Sequence, residues 1–195
     1  MTTESISTRV WQLVALVLAP LAMIVMLRYL GRMFLCSCGY FAIWTSDTCS
    51  SVTSQQLFDP YSFTHVLHGF LFFWLIALSA TLSFRRMPLP SQIWTVFLLE
   101  AAWELFENTP FIINKYRSET AALGYEGDTI VNSLGDLSCA MAGFLLARKL
   151  GVRRSLIVFA VVELVLILWI HDSLLLQILM LVWPVEAIKS WQMCS

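Results

Sequence analysis

Apolar residues run through this chain in long unbroken stretches, not at the third-and-fourth or alternate positions of a half-buried helix or strand. The first stretch covers 10–30, with Arg9 before it and Arg28 and Arg32 at its far end. Others follow at 61–84, 93–113 and 129–150. The last, 155–188, is too long for one crossing, and His171-Asp172-Ser173 interrupts it, so the sequence predicts two short spans, 155–170 and 173–190. About 20 apolar residues in a helix cross a hydrocarbon core. The pattern therefore predicts an all-α fold: a multi-pass transmembrane helical bundle of about six spans, one transmembrane domain over 1–195. The first stretch has a signal-peptide flavour. It is too long for an h-region and no A-x-A site follows it, so it reads as a retained span. Asp59 is a fair N-cap with Pro60 as the first helical residue. In the fourth span, Gly135, Cys139, Ala142 and Gly143 would let a neighbouring helix approach closely.

Composition agrees with a membrane setting. Of 195 residues 58% are hydrophobic and only 13% charged, against roughly a quarter charged in a soluble domain. The net charge of −1 offers no basic surface, which sets nucleic acid aside as a partner. There is no Walker loop, no GxGxxG after a strand and no GxSxG elbow. Short-loop Lys and Arg orient the spans. Arg85 and Arg86 lie between spans two and three, and Arg148, Lys149, Arg153 and Arg154 between spans four and five, so both loops are expected in the cytoplasm. Both termini then face the cytoplasm too, with Arg9 and Lys189, giving eight positive residues inside and four outside (Arg28, Arg32, Lys115, Arg117). The expected location is the bacterial inner membrane, with the lipid bilayer as the surrounding partner.

Ionisable residues in spans are expensive in lipid and by default point to function. His65 and His68, at i and i+3, share a face at the start of span two. Glu100, Glu104 and Glu107 form one face of span three, with Asn108 beside them. Asp128, Asn132 and Asp136 follow at four-residue steps in span four, Asp136 roughly 12 Å below Asp128. His171 and Asp172 make the turn after span five. Under the loop-charge orientation all of these fall in the outer half of the bilayer, although that rule used only Lys and Arg.

Carboxylates at close range in low dielectric need a cation or protons. Two histidines with two or three carboxylates on facing helices make a bundle-core metal set, and nitrogen and oxygen donors without thiolate suit zinc, iron or manganese. The expected metal ligands are His65, His68, Glu104 and Glu107. Glu104, Glu107 and Asp136 are the expected catalytic groups, and Asn108, Asp128, Asn132 and His171 the expected substrate contacts. Each has a plainer competitor: interfacial imidazoles meeting headgroups, or side-chain bonds that only fix helix packing. Glu100, Asn132 and Asp136 divide evenly between the two. Glu163 is isolated. Cys36, Cys38 and Cys49 fall in the outer loop, where Cys36 or Cys38 could bridge to Cys49. A bridge between Cys36 and Cys38 is expected to be strained. Cys139 is expected to be a small packing residue and Cys194 to lie at the inner end.

At these residues the chain resembles a family of small multi-pass bacterial inner-membrane proteins of unknown function. The resemblance is carried by Cys36-Ser-Cys38-Gly39, by Asp59-Pro60 with His65 and His68, by Glu100 through Glu107-Asn108-Thr109-Pro110, by Gly127-Asp128 with Asn132-Ser133 and Asp136, and by Trp183-Pro184. It covers about 30–192 and implies a multi-pass membrane protein, with no catalytic residue to carry over. A shorter likeness to VanZ-like membrane proteins rests on Asp128, Asn132, Gly135 and Gly143.

Three functions follow. The favoured one is a metal-dependent enzyme, with a divalent transition metal such as zinc, acting from the outer side on a lipid or cell-envelope molecule. A small proton-coupled transporter would need a polar path to the inner face. A non-catalytic membrane assembly partner would use the same acids only for packing.

Overall fold

The computed structural model describes residues 6–83, 87–122 and 124–193, with side chains from residue 18 onward and without that of Ser83. Arg85, Arg86, Cys194 and the side chain of Arg9 lie outside the described residues. The described chain is helical and holds no strand; the elements are α1 (Ile6–Tyr29), α2 (Ser62–Ser83), α3 (Leu89–Glu107), α4 (Pro110–Glu119), α5 (Ile130–Ile170), α6 (Leu174–Val182) and α7 (Glu186–Gln192). One isolated bridge joins Trp44 to Phe58.

The helix bounds depart from the apolar stretches at Pro110 and at Gly151. The 93–113 stretch is two helices. Asn108 closes α3 by giving its amide to the Glu104 carbonyl, and Thr109 caps α4, with Pro110 as the first residue. Proline lacks the amide and suits a first turn, so one helix ends and another begins. Asp59 bonds the Tyr61 amide at 2.8 Å, but α2 itself begins at Ser62. Gly151, at φ 73°, breaks α5 within its bounds. Contacts on either side show that the chain reverses there. The first limb runs parallel to α2, with Asp136 beside Ser62 and Gly143 against Val66. The second limb runs back, with Ser155 accepting from Trp74 at 2.8 Å and Trp169 meeting Phe63.

After the turn at His171, α6 descends for nine residues and stops at Trp183-Pro184. α7 then returns. Gln192 Nε2 donates to Asp172 Oδ1 at 2.9 Å, and Lys189 Nζ to the Ser118 carbonyl at 2.5 Å. The 173–190 stretch is therefore a helical hairpin that comes back to the turn it left. Glu163, isolated in the sequence, accepts from the Leu175 amide at 3.3 Å and so holds the start of α6. Among the described residues, one helix, Ser62–Leu82, is by itself long and apolar enough to cross a membrane; the bent pair Ile130–Ile170 and Leu174–Val182, turned by 75°, makes a second if counted as one span.

The core sits between α2 and both limbs of α5. Leu67, Phe70, Ala147, Phe159, Leu166 and Leu174 form one cluster, and Met23, Leu27, Phe97, Ala101, Ile130 and Leu137 tie α1 and α3 to the start of α5. Ile76, Val96 and Phe144 close the bundle further along α2. Gly69 and Gly143 allow the α2–α5 approach: a Cβ on Gly69 would meet the Ala140 carbonyl and Phe144 amide, and one on Gly143 the Val66 carbonyl.

Before α2, the 31–61 segment covers this end of the bundle. A disulfide joins Cys36 to Cys38, with the two Cα atoms 5.1 Å apart. That separation lies inside the ordinary disulfide range of roughly 4.4–6.8 Å, because the chain turns tightly at these residues. The bridge between near neighbours, expected to be strained, is present.

The hairpin makes a pH prediction. Burial pushes the Asp172 carboxyl from 3.8 up to about 6, against bonds from the Ser173 amide, Gln177 and Gln192 that favour the charged form. The folded state therefore holds this proton more tightly than the unfolded state. The associated stability is complete below 3.8 and is lost as pH rises through about 6. Thermal unfolding in detergent is expected to decline over that window by more in the wild type than in Asp172→Asn. Identical pH slopes for the two proteins would refute this assignment.

Candidate functional site

Three helix ends meet where α2 begins, α3 finishes and α5 begins. The spacings that put His65 and His68 on one face of α2, and Glu100 and Glu104 on one face of α3, turn these faces toward each other. His65, His68, Glu100, Glu104 and Asp136 are all buried. His65 Nδ1 lies 2.6 Å from Glu100 Oε1 and 3.3 Å from Glu104 Oε1, and its Nε2 lies 3.7 Å from Asp136 Oδ2. His68 Nδ1 approaches the same Glu100 carboxylate at 3.1 and 3.2 Å. Ser62 Oγ donates to Asp136 Oδ1 at 2.8 Å.

Two overlapping groups could hold a metal ion: His65, His68 and Glu100, and His65, Glu104 and Asp136, each with its ligand atoms within 4.8 Å of one another. They are not equivalent. Both oxygens of Glu104 are buried and accept no hydrogen bond, whereas Glu100 accepts from both imidazoles. A buried carboxylate without donors is a costly arrangement. With Nδ1–H given to Glu100, His65 has Nε2 left facing Asp136. A carboxylate that fixes one imidazole nitrogen while the other faces the ligand position is the usual support around a metal-bound histidine.

Above the cluster is a second polar layer. Asn108 Nδ2 donates to Asp128 Oδ2 at 2.7 Å, Asp128 returns its amide to Asn108 Oδ1 at 2.8 Å, and the Tyr125 hydroxyl donates to Asp128 Oδ1 at 2.8 Å. Burial raises the Asp128 carboxyl above its ordinary range, opposed by the Tyr125 and Asn108 bonds; Asp59 is likewise raised by burial, against amide bonds from Ser54 and Tyr61. Asn132 Nδ2 donates to the Gln56 carbonyl at 3.0 Å and its Oδ1 is buried without a partner.

Of the residues singled out in the sequence, His65, His68, Glu104 and Asp136 come together. Glu107 stands a turn away, next to Tyr116, with its Oε2 buried and unpaired. Asn108, Asp128 and Asn132 form the layer above. His171 is exposed at the hairpin turn, its ring 4.8 Å from that of Trp191. Sequence reasoning missed the part of Glu100 as the shared partner of both histidines. It also missed Ser62 and the buried Gln56; Ser62, three residues before His65 on the same helix face, was the readable signal.

An apolar cleft of about 390 Å³ opens beside the cluster, between α2, α3 and α6. Leu71, Phe72, Leu99, Trp103, Leu174 and Ile178 are among its walls, and His68 stands in its lining. Since Glu100 occupies Nδ1, the Nε2 of His68 is the nitrogen left for the cleft.

The comparisons with known proteins agree with one another. Residues 27–194 match the family described as protein of unknown function DUF2585. UPF0314 proteins of Sinorhizobium fredii, Novosphingobium aromaticivorans and Brucella anthropi are 41%, 41% and 39% identical, over 95%, 88% and 95% of this chain and 92%, 87% and 93% of theirs. No solved structure matches. The likeness to VanZ-like proteins is not shown by these matches. With nearly the whole chain matched by the family and by relatives that share its length, this protein belongs to the bacterial DUF2585 family.

Proposed function

We propose that this chain is an integral protein of the bacterial inner membrane whose His65, Glu104 and Asp136 hold a divalent transition metal, and that it hydrolyses a lipid or lipid-linked envelope molecule at that centre. The observation that carries the reading is the pair of donor-less, buried Glu104 oxygens beside an imidazole already oriented by Glu100. One imidazole and two carboxylates suit zinc, iron or manganese, and three protein ligands leave a position open for water, as catalytic zinc sites do. The chemistry such an ion supplies is a water made acidic enough to attack at neutral pH.

The distribution of side chains supports the bilayer setting. Glu100 and Glu104 are fully buried, while Leu78, Leu82, Leu98, Leu156, Leu164 and Leu168 are exposed. A protein surrounded by water shows the reverse preference. The cleft supports the substrate class. It is walled by apolar side chains and reaches a histidine that touches the cluster, so an aliphatic chain entering from the bilayer would bring its polar end to His68. His68 Nε2 is then placed to give a proton to the departing group. The apolar layer of Ile76, Val96 and Phe144 lies beneath the cluster and favours a site entered from one side over a conducting path.

Metal analysis of protein purified in detergent tests the proposal. About one equivalent of zinc, iron or manganese per chain is expected. Background metal, both as isolated and after incubation with each ion followed by desalting, would end the metal reading.

A further inference from the structure

Above the second polar layer, cations gather that the buried cluster does not use. Arg32 Nη1 donates to the Glu126 carbonyl, and Arg117 Nε donates to the neighbouring Tyr125 carbonyl at 2.5 Å. Lys189 Nζ reaches the same end of the bundle through the Ser118 carbonyl. Arg32 is seated there. Gly127, at φ 90°, leaves the space that the guanidinium fills, since a Cβ on it would collide with Arg32 Nη1. Arg28 donates to the Arg32 carbonyl at 2.6 Å and so adds a further charge behind it.

These cations have no anionic partner. Among the described residues every ion pair is made by a histidine. The backbone carbonyls take single N–H groups and leave the charge uncompensated. Arg32 Nε is buried without an acceptor, a costly state for a charged donor. With Nη1 engaged, the fork of Nε and Nη2 is the edge left, and that edge matches two oxygens of a phosphate. Arg117 is exposed and, bonded through Nε, keeps both terminal nitrogens. The pair also stands at one end of the apolar cleft. Tyr116 is in the cleft wall, its ring meets that of Tyr125 at 5.3 Å, and Arg117 follows it in α4. From there the wall continues along α3 past Phe106 and Trp103 to Leu99, about 10 Å of helix. His68 lies partway, its ring 5.5 Å from that of Trp103.

We propose that Arg32 and Arg117 bind the phosphate of an anionic phospholipid whose acyl chain occupies the cleft. The inference rests on the lipid reading of the cleft and narrows it to one class of headgroup. The phosphate sits in the Arg32 fork and against the end of Arg117. The chain lies along Phe106, Trp103 and Leu99, and the linkage between chain and headgroup falls beside His68. The two arginines thus decide which lipid enters and how far it descends.

The test uses the full chain in detergent micelles and equilibrium binding of two radiolabelled lipids, phosphatidylglycerol and a diacylglycerol with the same chains. Wild type is expected to bind phosphatidylglycerol at least about tenfold more tightly, the size of one charge-assisted bond. Arg32→Gln and Arg117→Gln should each lose about tenfold for phosphatidylglycerol. Both should keep their affinity for diacylglycerol, which also shows that they are folded. Arg117 is exposed, so its variant tests the site even where the Arg32 variant unfolds. Arg153→Gln removes the same charge beside the break at Gly151 and should bind as wild type does. Millimolar inorganic phosphate should displace little lipid, having no chain to fill the cleft. Equal affinity for the two lipids would overturn the headgroup assignment and leave the lipid reading of the cleft standing. No binding of either lipid would remove both. An equal loss in Arg153→Gln would mean attraction by net charge alone, and complete displacement by inorganic phosphate would reassign the pair to a free anion; either result overturns the proposal.

Discussion

Exchanging Glu104 for glutamine is expected to weaken metal binding by more than about 100-fold, since removal of supporting groups around a metal ligand already costs 10–100-fold. The amide keeps the volume and the helix but loses the charge, and its nitrogen would bring a donor into a pocket that now lacks one. Asp136→Asn should act in the same direction. Glu107→Gln should lose less than tenfold, because Glu107 stands beside Tyr116 outside both ligand groups. Competition against a chelator of known affinity measures all three. Equal affinity in wild type and Glu104→Gln would mean that the buried acid serves packing alone.

The second large effect is steric. Gly143→Leu is expected to destabilise the protein by about 3 kcal/mol or more, the upper end of overpacking costs. The new side chain would start against the Val66 carbonyl, a backbone atom that cannot rotate away. Gly69→Leu meets the Ala140 carbonyl and Phe144 amide across the same interface and should behave alike. The control is Gly124→Ala, which has nothing within 4 Å of the added atom and should unfold as wild type does. Detergent thermal-shift or aggregation curves give the comparison. Because α2 and the first limb of α5 carry His65 and Asp136, the leucine variants should also lose metal. A Gly143→Leu protein as stable as the control would mean that α2 and α5 are not this close.

Much of this was legible from residue order. The apolar runs mark the helices, Gly151 falls in the gap between 150 and 155, and of the small residues in the fourth run Gly143 lies against α2 while Gly135 meets Leu57 ahead of it. The convergence of imidazole and acid was readable because one-face spacing on several segments left no other inexpensive burial. What remained hidden depended on rotation. Glu100, Glu104 and Glu107 span nearly the same face, and only packing against α2 decides that Glu100 takes both histidines while Glu107 turns to Tyr116. The last apolar run looked like a span because composition measures length in residues. Pro184 was the sign that its two halves fold back on each other.

Trp44, Phe63 and Trp169 meet at one end of the bundle, with ring centroids 6.2–6.4 Å apart. In the proposed bilayer setting such rings would settle at the level where headgroups give way to acyl chains, and so would act as a depth gauge. His65 is two residues further along α2 than Phe63, about 3 Å by helical rise. In a bilayer the cluster would thus float at the height of glycerol ester linkages, well above the midplane. A lipid would need to slide sideways into place, without being lifted out of its leaflet.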